Sequence, residues 1–252
     1  MSPTPARPEL SVVLPVYNEA LVLESTFSVL VPFLEALGRS FEIVCADDGS
    51  SDRSPAILAA AAKNDARIRV EALPANRGKG AAVRAGVLAA RGERIVFMDA
   101  DLSTPLEELH AFLRALDAGF DVVIGNRRAP GSKITRHQPW LRETLGKGFT
   151  MLTRTFLAPG VHDFTCGFKG FLAEPARAIF RRSTLDGWAF DAELVVISQQ
   201  LGYRLEQVPV RWHHEDDTKV RLGAAVFGSL GELASIAWKR ARGVYRRELP
   251  SD

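Results

Sequence analysis

Cysteine is scarce: Cys45 and Cys166 are the only two in 252 residues. Two thiols cannot build a disulfide framework or a four-ligand zinc site, so both are expected to be reduced thiols of a cytoplasmic protein. Long apolar runs are missing as well. The charge-free stretches 25–34 and 222–231 reach roughly 10 residues, against the ~20 that a spanning helix requires. The opening MSPTPARPE lacks the basic-then-apolar pattern of a secretory signal. Neither sign of charge dominates, because 32 Lys and Arg face 30 Asp and Glu for a formal net charge of +2. Such a balance argues against a nucleic-acid partner. No GxxxxGK[ST] phosphate loop occurs. Gly78-Lys79-Gly80 begins a GxGxxG pattern, but Val83 stands where the third glycine belongs and the segment follows the third expected strand rather than the first. A nicotinamide-dinucleotide enzyme is therefore a poor fit.

What is present is an alternation of short apolar runs and helical patterns. Residues 10–16 (LSVVLPV) form a run rich in β-branched residues that stops at Tyr17-Asn18-Glu19, the pattern of a buried parallel strand. Residues 20–37 carry apolar side chains at helical spacing and stop at Gly38, a residue suited to a left-handed cap. A second strand is expected over 41–46, ending in Asp47-Asp48-Gly49-Ser50. A helix over 54–63, a strand over 68–72, a helix over 80–90 and a strand over 94–98 follow, the last running into Asp99-Ala100-Asp101. Thr104-Pro105-Leu106-Glu107 has the form of a capping box with Pro at the first helical position, which predicts a helix starting there. Residues 121–124 supply one more strand. This order predicts an α/β fold, an open and mostly parallel Rossmann-like sheet with helices on both faces.

Beyond residue 124 the pattern is less regular. A polar loop is expected over 125–139, a helix over 140–157, a strand over 168–172, a helix over 191–201 and a strand over 205–212. The final stretch places Phe227, Leu230, Ala234, Trp238, Ala241 and Tyr245 at helical spacing. The chain thus divides into a tail (1–9), a domain (10–221, with halves of about 10–125 and 126–221) and a C-terminal amphipathic helix and tail (222–252).

Ligands of open α/β sheets bind at the carboxyl ends of the strands. Three expected strands end in polar clusters, at Tyr17-Asn18-Glu19, Asp47-Asp48 and Asp99-Ala100-Asp101, which converge on one cleft if the strands are parallel neighbours. Asp99 and Asp101, two residues apart in an extended segment, would point the same way. Two hard carboxylates suit Mg²⁺ or Mn²⁺ shared with substrate phosphates; a pair of solvated turn aspartates is the plainer alternative.

The chain resembles glycosyltransferase family 2 of the GT-A fold, and within it the dolichyl-phosphate glucosyl- and mannosyltransferases. The matching segments are SVVLPVYNEA, DDGSSDRS, NRGKGAAVRAGV, DADLSTP, GNR, TCGFKGF and WAFDAEL, in the family's order. The resemblance implies that Pro15, Tyr17 and Glu19 line the base and ribose, that Asp48 reads the base edge, and that Gly78 and Lys79 close over the nucleoside. It assigns Asp99 and Asp101 to ribose, diphosphate and metal, with His213 as a third metal ligand. Mannosyltransferases often carry a metal-binding Gln at the position of the shorter Ser103. Arg127 matches the family's phosphate-binding arginine, and Arg142 a second one. Lys169, Arg211, Lys219 and Arg221 would supply positive charge on the acceptor side.

The chemistry of sugar transfer agrees with these types. A nucleoside diphosphate leaves as an anion, which a metal and guanidinium groups stabilise, and Arg suits bidentate phosphate contacts. A phosphate monoester acceptor, with a second pKa near ~6, is already anionic at neutral pH and needs no strong base. An alcohol acceptor needs one, and Asp191 or Glu193 is the candidate; Asp191 also stands where a helix N-cap is expected. His213 to Asp217 (HHEDD) reads equally as a solvated loop, and Cys166 as a packed small residue. Lys239, Arg240, Arg242, Arg246 and Arg247 suit the final helix to an anionic membrane interface, or to packing on the domain or on a second subunit.

The expected activity is metal-dependent inverting transfer of a hexose, from UDP-glucose first and GDP-mannose second, to a polyprenyl or dolichyl phosphate at the cytoplasmic membrane face. TCGFKGF and WAFDAEL favour the glucosyl branch. The alternatives are a soluble family member with a hydroxyl acceptor, of glucosyl-3-phosphoglycerate or polysaccharide type, and a nucleotide-sugar-binding protein without turnover.

Overall fold

Parallel pairing begins with the apolar runs of the first half. The computed structural model describes residues 7–134, 151, 153–155, 157–187, 189–212 and 222–246. Strand β1 (Leu10–Val16) pairs in parallel with β2 (Phe41–Asp47) on one side and β4 (Arg94–Phe97) on the other, and β3 (Ile68–Ala72) joins β2. The three polar clusters therefore do lie at one sheet edge. The full order is β3-β2-β1-β4-β7-β5-β8, with β5 at Val122–Asn126, β7 at Lys169–Leu172 and β8 at Leu205–Pro209. β7 runs antiparallel between β4 and β5. Its first residue, Lys169, thus sits opposite Phe97 and Ile124, near the carboxyl ends of its neighbours. The segment 163–168 is delivered to the same edge as Asp99 and Arg127.

Alternation along β1 separates two cores. Leu10, Val12, Leu14 and Val16 face α1 (Leu23–Ala36), α2 (Ser54–Asn64) and α4 (Leu109–Asp117), whereas Val13 faces α3 (Lys79–Ala89), α5 (Ala173–Phe180) and α6 (Phe190–Gln200). On the second face Phe97, Phe171, Phe180 and Phe190 form one aromatic cluster, a dense source of apolar burial. Every residue from Phe190 to Ser198 is buried, as expected of a helix covered all round. The final helix α7 (Leu222–Ala241) packs on it through Leu233 and Ile236, and a 3₁₀ turn (Val244–Arg246) buries Tyr245.

Several expectations need correction. The Thr104–Glu107 capping box does not form: Pro105 precedes a 3₁₀ turn over Leu106–Glu108, and α4 begins only at Leu109, because Thr104 makes no capping bond. The strand over 205–212 breaks at Val210, whose amide donates to Asn126 O, and its end, β9 (Arg211–Trp212), pairs with β6 (Lys133–Ile134) inside the expected polar loop. Helix α5 was not anticipated. Trp238, placed by spacing on the apolar face, is 57% exposed, with the Arg242 guanidinium 5.5 Å over its ring; among the described side chains of the helix, Leu233 and Ile236 are the buried ones. Most of the expected helix 140–157 lies outside the described residues.

Candidate active site

Backbone amides hold the first polar cluster. Asp48, just past β2, accepts from the Arg77 and Gly78 N–H groups at 2.8 Å each. Burial pushes its pKa up, and the two amides partly offset that. Asn18 adopts φ +56° and accepts from the Ser51 and Asp52 amides, while Ser50 and Ser54 accept from the Asn18 and Glu19 amides. The β1 and β2 loops are thereby stitched together beside Tyr17, which is exposed, and Glu19. Pro15 lies within β1 at a half-buried position.

Past β4 the backbone does not stay extended, so the stated reason for Asp99 and Asp101 pointing together fails. Leu102 has φ +54° and donates to Asp99 O in a turn, and Thr26 Oγ1 donates to Ala100 O at 2.6 Å, tying that turn to α1. Asp101, exposed toward solvent, accepts from the Ser103 amide at 2.9 Å. Its pKa is raised, by desolvation among its neighbours first and by the Asp99 charge second. Asp99 is ion-paired with Lys79. Burial pulls the Lys79 ammonium down, but the charges of Asp99 and Asp191 outweigh it and leave its pKa raised. The backbone of Gly167 packs against the same carboxylate so tightly that a Cβ there would lie 2.2 Å from Asp99 Oδ2.

Around β5 and β7 the polar groups are held by side-chain pairs. Arg127 grips Asp163 through Nε at 2.7 Å and Nη2 at 2.9 Å, and also donates to Thr165 Oγ1. Burial works against the charge on Asp163, yet Arg127 holds its carboxyl below the usual range. Lys169 is 0% exposed and donates to Cys166 O at 2.6 Å and to Asp191. Its ammonium is fully buried and taken up by these two partners, so the expected direct contact with a phosphate is not what the geometry offers. Asp191 sits one residue inside α6, after the N-cap Ala189, so the N-cap reading fails. Burial raises its pKa against the opposing pull of Lys169 and Lys79. Glu193 is buried and accepts from the Thr184 and Leu185 amides and the Tyr245 hydroxyl, which gives it a structural place rather than that of a base. Arg211 pairs with Glu107 and Glu108. Burial also lifts the Cys166 thiol to about 11, which fits a packed, unreactive residue. Arg142, His213, Lys219 and Arg221 lie outside the described residues.

Among the described residues no group of three or more His, Cys, Asp or Glu could by itself hold a metal ion. Asp99 and Asp101 offer two hard carboxylates whose mutual repulsion a divalent cation would relieve. That donor set fits an ion that takes its other ligands from phosphate and water.

The sequence pattern described as Glycosyl transferase family 2 matches residues 11–180. The chain belongs to glycosyl transferase family 2. This glycosyltransferase is 34% identical over 239 residues to "Glycosyltransferase AglD" of Haloferax volcanii, covering 94% of the chain but 38% of AglD. It is also 34% identical to "Dolichyl-phosphate beta-glucosyltransferase ALG5C" of Trichomonas vaginalis, over 88% of the chain and 69% of that protein. The glucosyl-3-phosphoglycerate synthase of Mycobacterium tuberculosis, solved with phosphoglyceric acid, shares the fold with a TM-score of 0.67 and 21% identity, covering 92% of this chain and 80% of that one. The GT-A-type sheet of this glycosyltransferase brings Asp48, Lys79, Asp99, Asp101, Arg127 and Asp191 to one edge. Asp163 and Asp186 were missed. The only sequence signal for Asp163 is an acid two residues before TCGFKGF; Asp186 carries none.

Proposed function

We propose that this glycosyltransferase moves glucose from UDP-glucose to a polyprenyl or dolichyl phosphate, with Mg²⁺ or Mn²⁺. The observation that carries the reading is the gathering of Asp99, Asp101, Lys79 and Arg127 at the carboxyl ends of β4 and β5, with Asp48 held by the loop at the start of α3. The relatives named as dolichyl-phosphate beta-glucosyltransferases support the donor sugar and the acceptor class. Asp48 and Tyr17 would meet the base, and Gly78 and Lys79 would flank the nucleoside. Asp99 and Asp101 would hold the metal, which supplies charge neutralisation for the departing diphosphate. Arg127, locked by Asp163, presents a fixed guanidinium for phosphate with little rotamer freedom left to lose.

Asp191 is engaged by Lys169, and this favours an acceptor that arrives already ionised. A phosphate monoester attacks the anomeric carbon as an anion, and no side chain has to remove its proton. Asp191 then serves by balancing charge under the acceptor.

Among the described residues no helix is long and apolar enough to cross a membrane. The exposed Trp238, with Arg240, Arg242 and Arg246 nearby in the chain, supports peripheral contact with an anionic lipid surface.

Transfer of radiolabelled glucose from UDP-glucose to polyprenyl phosphate, with Mg²⁺ or Mn²⁺ and with EDTA, tests the proposal. Metal-dependent lipid product is expected. Product formed only with a soluble acceptor such as 3-phosphoglycerate would overturn the lipid-phosphate reading.

A further inference from the structure

Residues 184–187 and 189 lie between the loop that opens α3 and the C-terminal helix, and they are bonded to both. Toward α3, the Asp186 carboxylate pairs with Arg77 at 2.9 Å and with Arg84. Its carbonyl accepts from the Gly80 amide at 2.9 Å. Gly78 has φ +113°, and a Cβ there would stand 2.5 Å from Asp186 O; one at Gly80 would stand 2.6 Å from Leu185 O. The two backbones are therefore in direct apposition. Toward the C-terminus, Glu193 accepts from the Thr184 and Leu185 amides and from Tyr245 Oη at 2.9 Å. Glu232 of α7 accepts from the Ala189 amide at 2.9 Å and packs over Gly187. Lys239 donates to Thr184 Oγ1.

We infer that Asp186 is a positioning residue, fixing the loop 77–79 in the conformation that receives the nucleotide donor, and that the C-terminal segment holds Asp186 in place, through Glu232 of α7 and through Tyr245 bonded to Glu193 of α6. The inference rests on the reading of this edge as a nucleotide-sugar site. The loop has little else to define it. Asp48 fixes two of its amides from below, and Lys79 extends from it to Asp99. Arg77 and Arg84 tie its two flanks to a single carboxylate. Charge-assisted pairs of this kind are among the stronger polar contacts, and here they bridge segments more than a hundred residues apart. The arrangement makes donor affinity depend on the C-terminal helix as well as on the loop itself. Tension or docking at α7 is thereby transmitted to the loop by a chain of named hydrogen bonds.

The test uses the full chain and its Asp186→Ala, Asp186→Glu and Tyr245→Phe variants. Asp186→Ala keeps the carbonyl bond to Gly80 and removes only the carboxylate. In ligand-free protein, hydrogen exchange at the Arg77, Gly78 and Gly80 amides is expected to accelerate about tenfold in Asp186→Ala, while β1 and β2 amides keep their protection. Calorimetric titration with UDP and Mn²⁺ should show affinity weakened about tenfold, with donor KM rising in step and kcat changing by less than about twofold. Asp186→Glu should recover part of the loss. Tyr245→Phe should move the same readouts in the same direction by about twofold. Unchanged loop exchange, or unchanged UDP affinity in Asp186→Ala, overturns the positioning role. So does exchange accelerated equally in β1 and β2, which marks general destabilisation. An unaffected Tyr245→Phe overturns the link that runs from Tyr245 through Glu193. A parent chain that binds neither UDP nor GDP overturns the nucleotide reading instead, and loop exchange then decides the positioning role alone.

Discussion

The two halves of the sheet edge hold their polar groups by different means. Before residue 126, backbone amides hold Asp48 (Arg77 and Gly78), Asp101 (Ser103) and Asn18 (Ser51 and Asp52), although Asp99 is ion-paired with Lys79. After it, charged side chains hold one another out of water: Arg127 with Asp163 and Lys169 with Asp191. A backbone-held carboxylate can be removed without leaving a charge behind. Removing one partner of a buried ion pair leaves the other uncompensated. The first half should therefore respond to substitution in function, the second in stability.

The largest effect expected belongs to the first half. Asp101→Ala should lower transfer on the order of 10³-fold, the equivalent of several kcal/mol of leaving-group stabilisation. Its urea midpoint should stay near that of the parent, because the side chain is exposed. A large fall in the midpoint would blur the contrast. Lys169→Met should do the reverse, costing about 3–5 kcal/mol of unfolding free energy, read by equilibrium denaturation. A midpoint equal to the parent's would show that Asp191 finds another cation, Lys79 being the one on hand.

Gly167→Ala probes the seam between the halves. A methyl group there would overlap the Asp99 carboxylate, and a displacement of about 1 Å at a reacting site is worth roughly 10²-fold in rate. Activity falling far more than stability is the expected pattern. The smallest effect concerns pH. Because Arg127 keeps the folded-state pKa of Asp163 below its unfolded value, the pair's contribution is present above about pH 4 and is lost as pH falls below that. Unfolding free energy measured at pH 6 and pH 3 should differ less in Asp163→Asn than in the parent. Equal slopes would remove Asp163 from the acid response.

Legibility in the sequence follows the same division. β1 begins and ends where its apolar run does, because a strand covered on both faces is written as continuous hydrophobicity. The convergence of Asp48, Asp99 and Asp101 followed from that. The antiparallel sense of β7 was not legible, since LysGlyPheLeu carries no mark of direction. Asp163 and Asp186 were hidden for a related reason: what they do is set by arginines far away in the chain. The DxD pair was found for a reason that did not hold, since a turn at Leu102 rather than an extended strand sets its geometry. Helix α5 follows β7 with no intervening loop, so no turn signal announced it.

The placement of β7 also fixes the order in which the sheet can be completed during synthesis. β4 and β5 do not pair with each other; each waits for residues 169–172. At roughly 5–20 residues per second, β4 emerges with one edge unsatisfied for on the order of ten seconds before its neighbour is made. A chain halted after Asn126 would carry one such open edge on β4 and two on β5, whose other neighbour is β8, each a template for pairing with another nascent copy. Truncation between the halves thus yields a sticky fragment rather than a smaller enzyme.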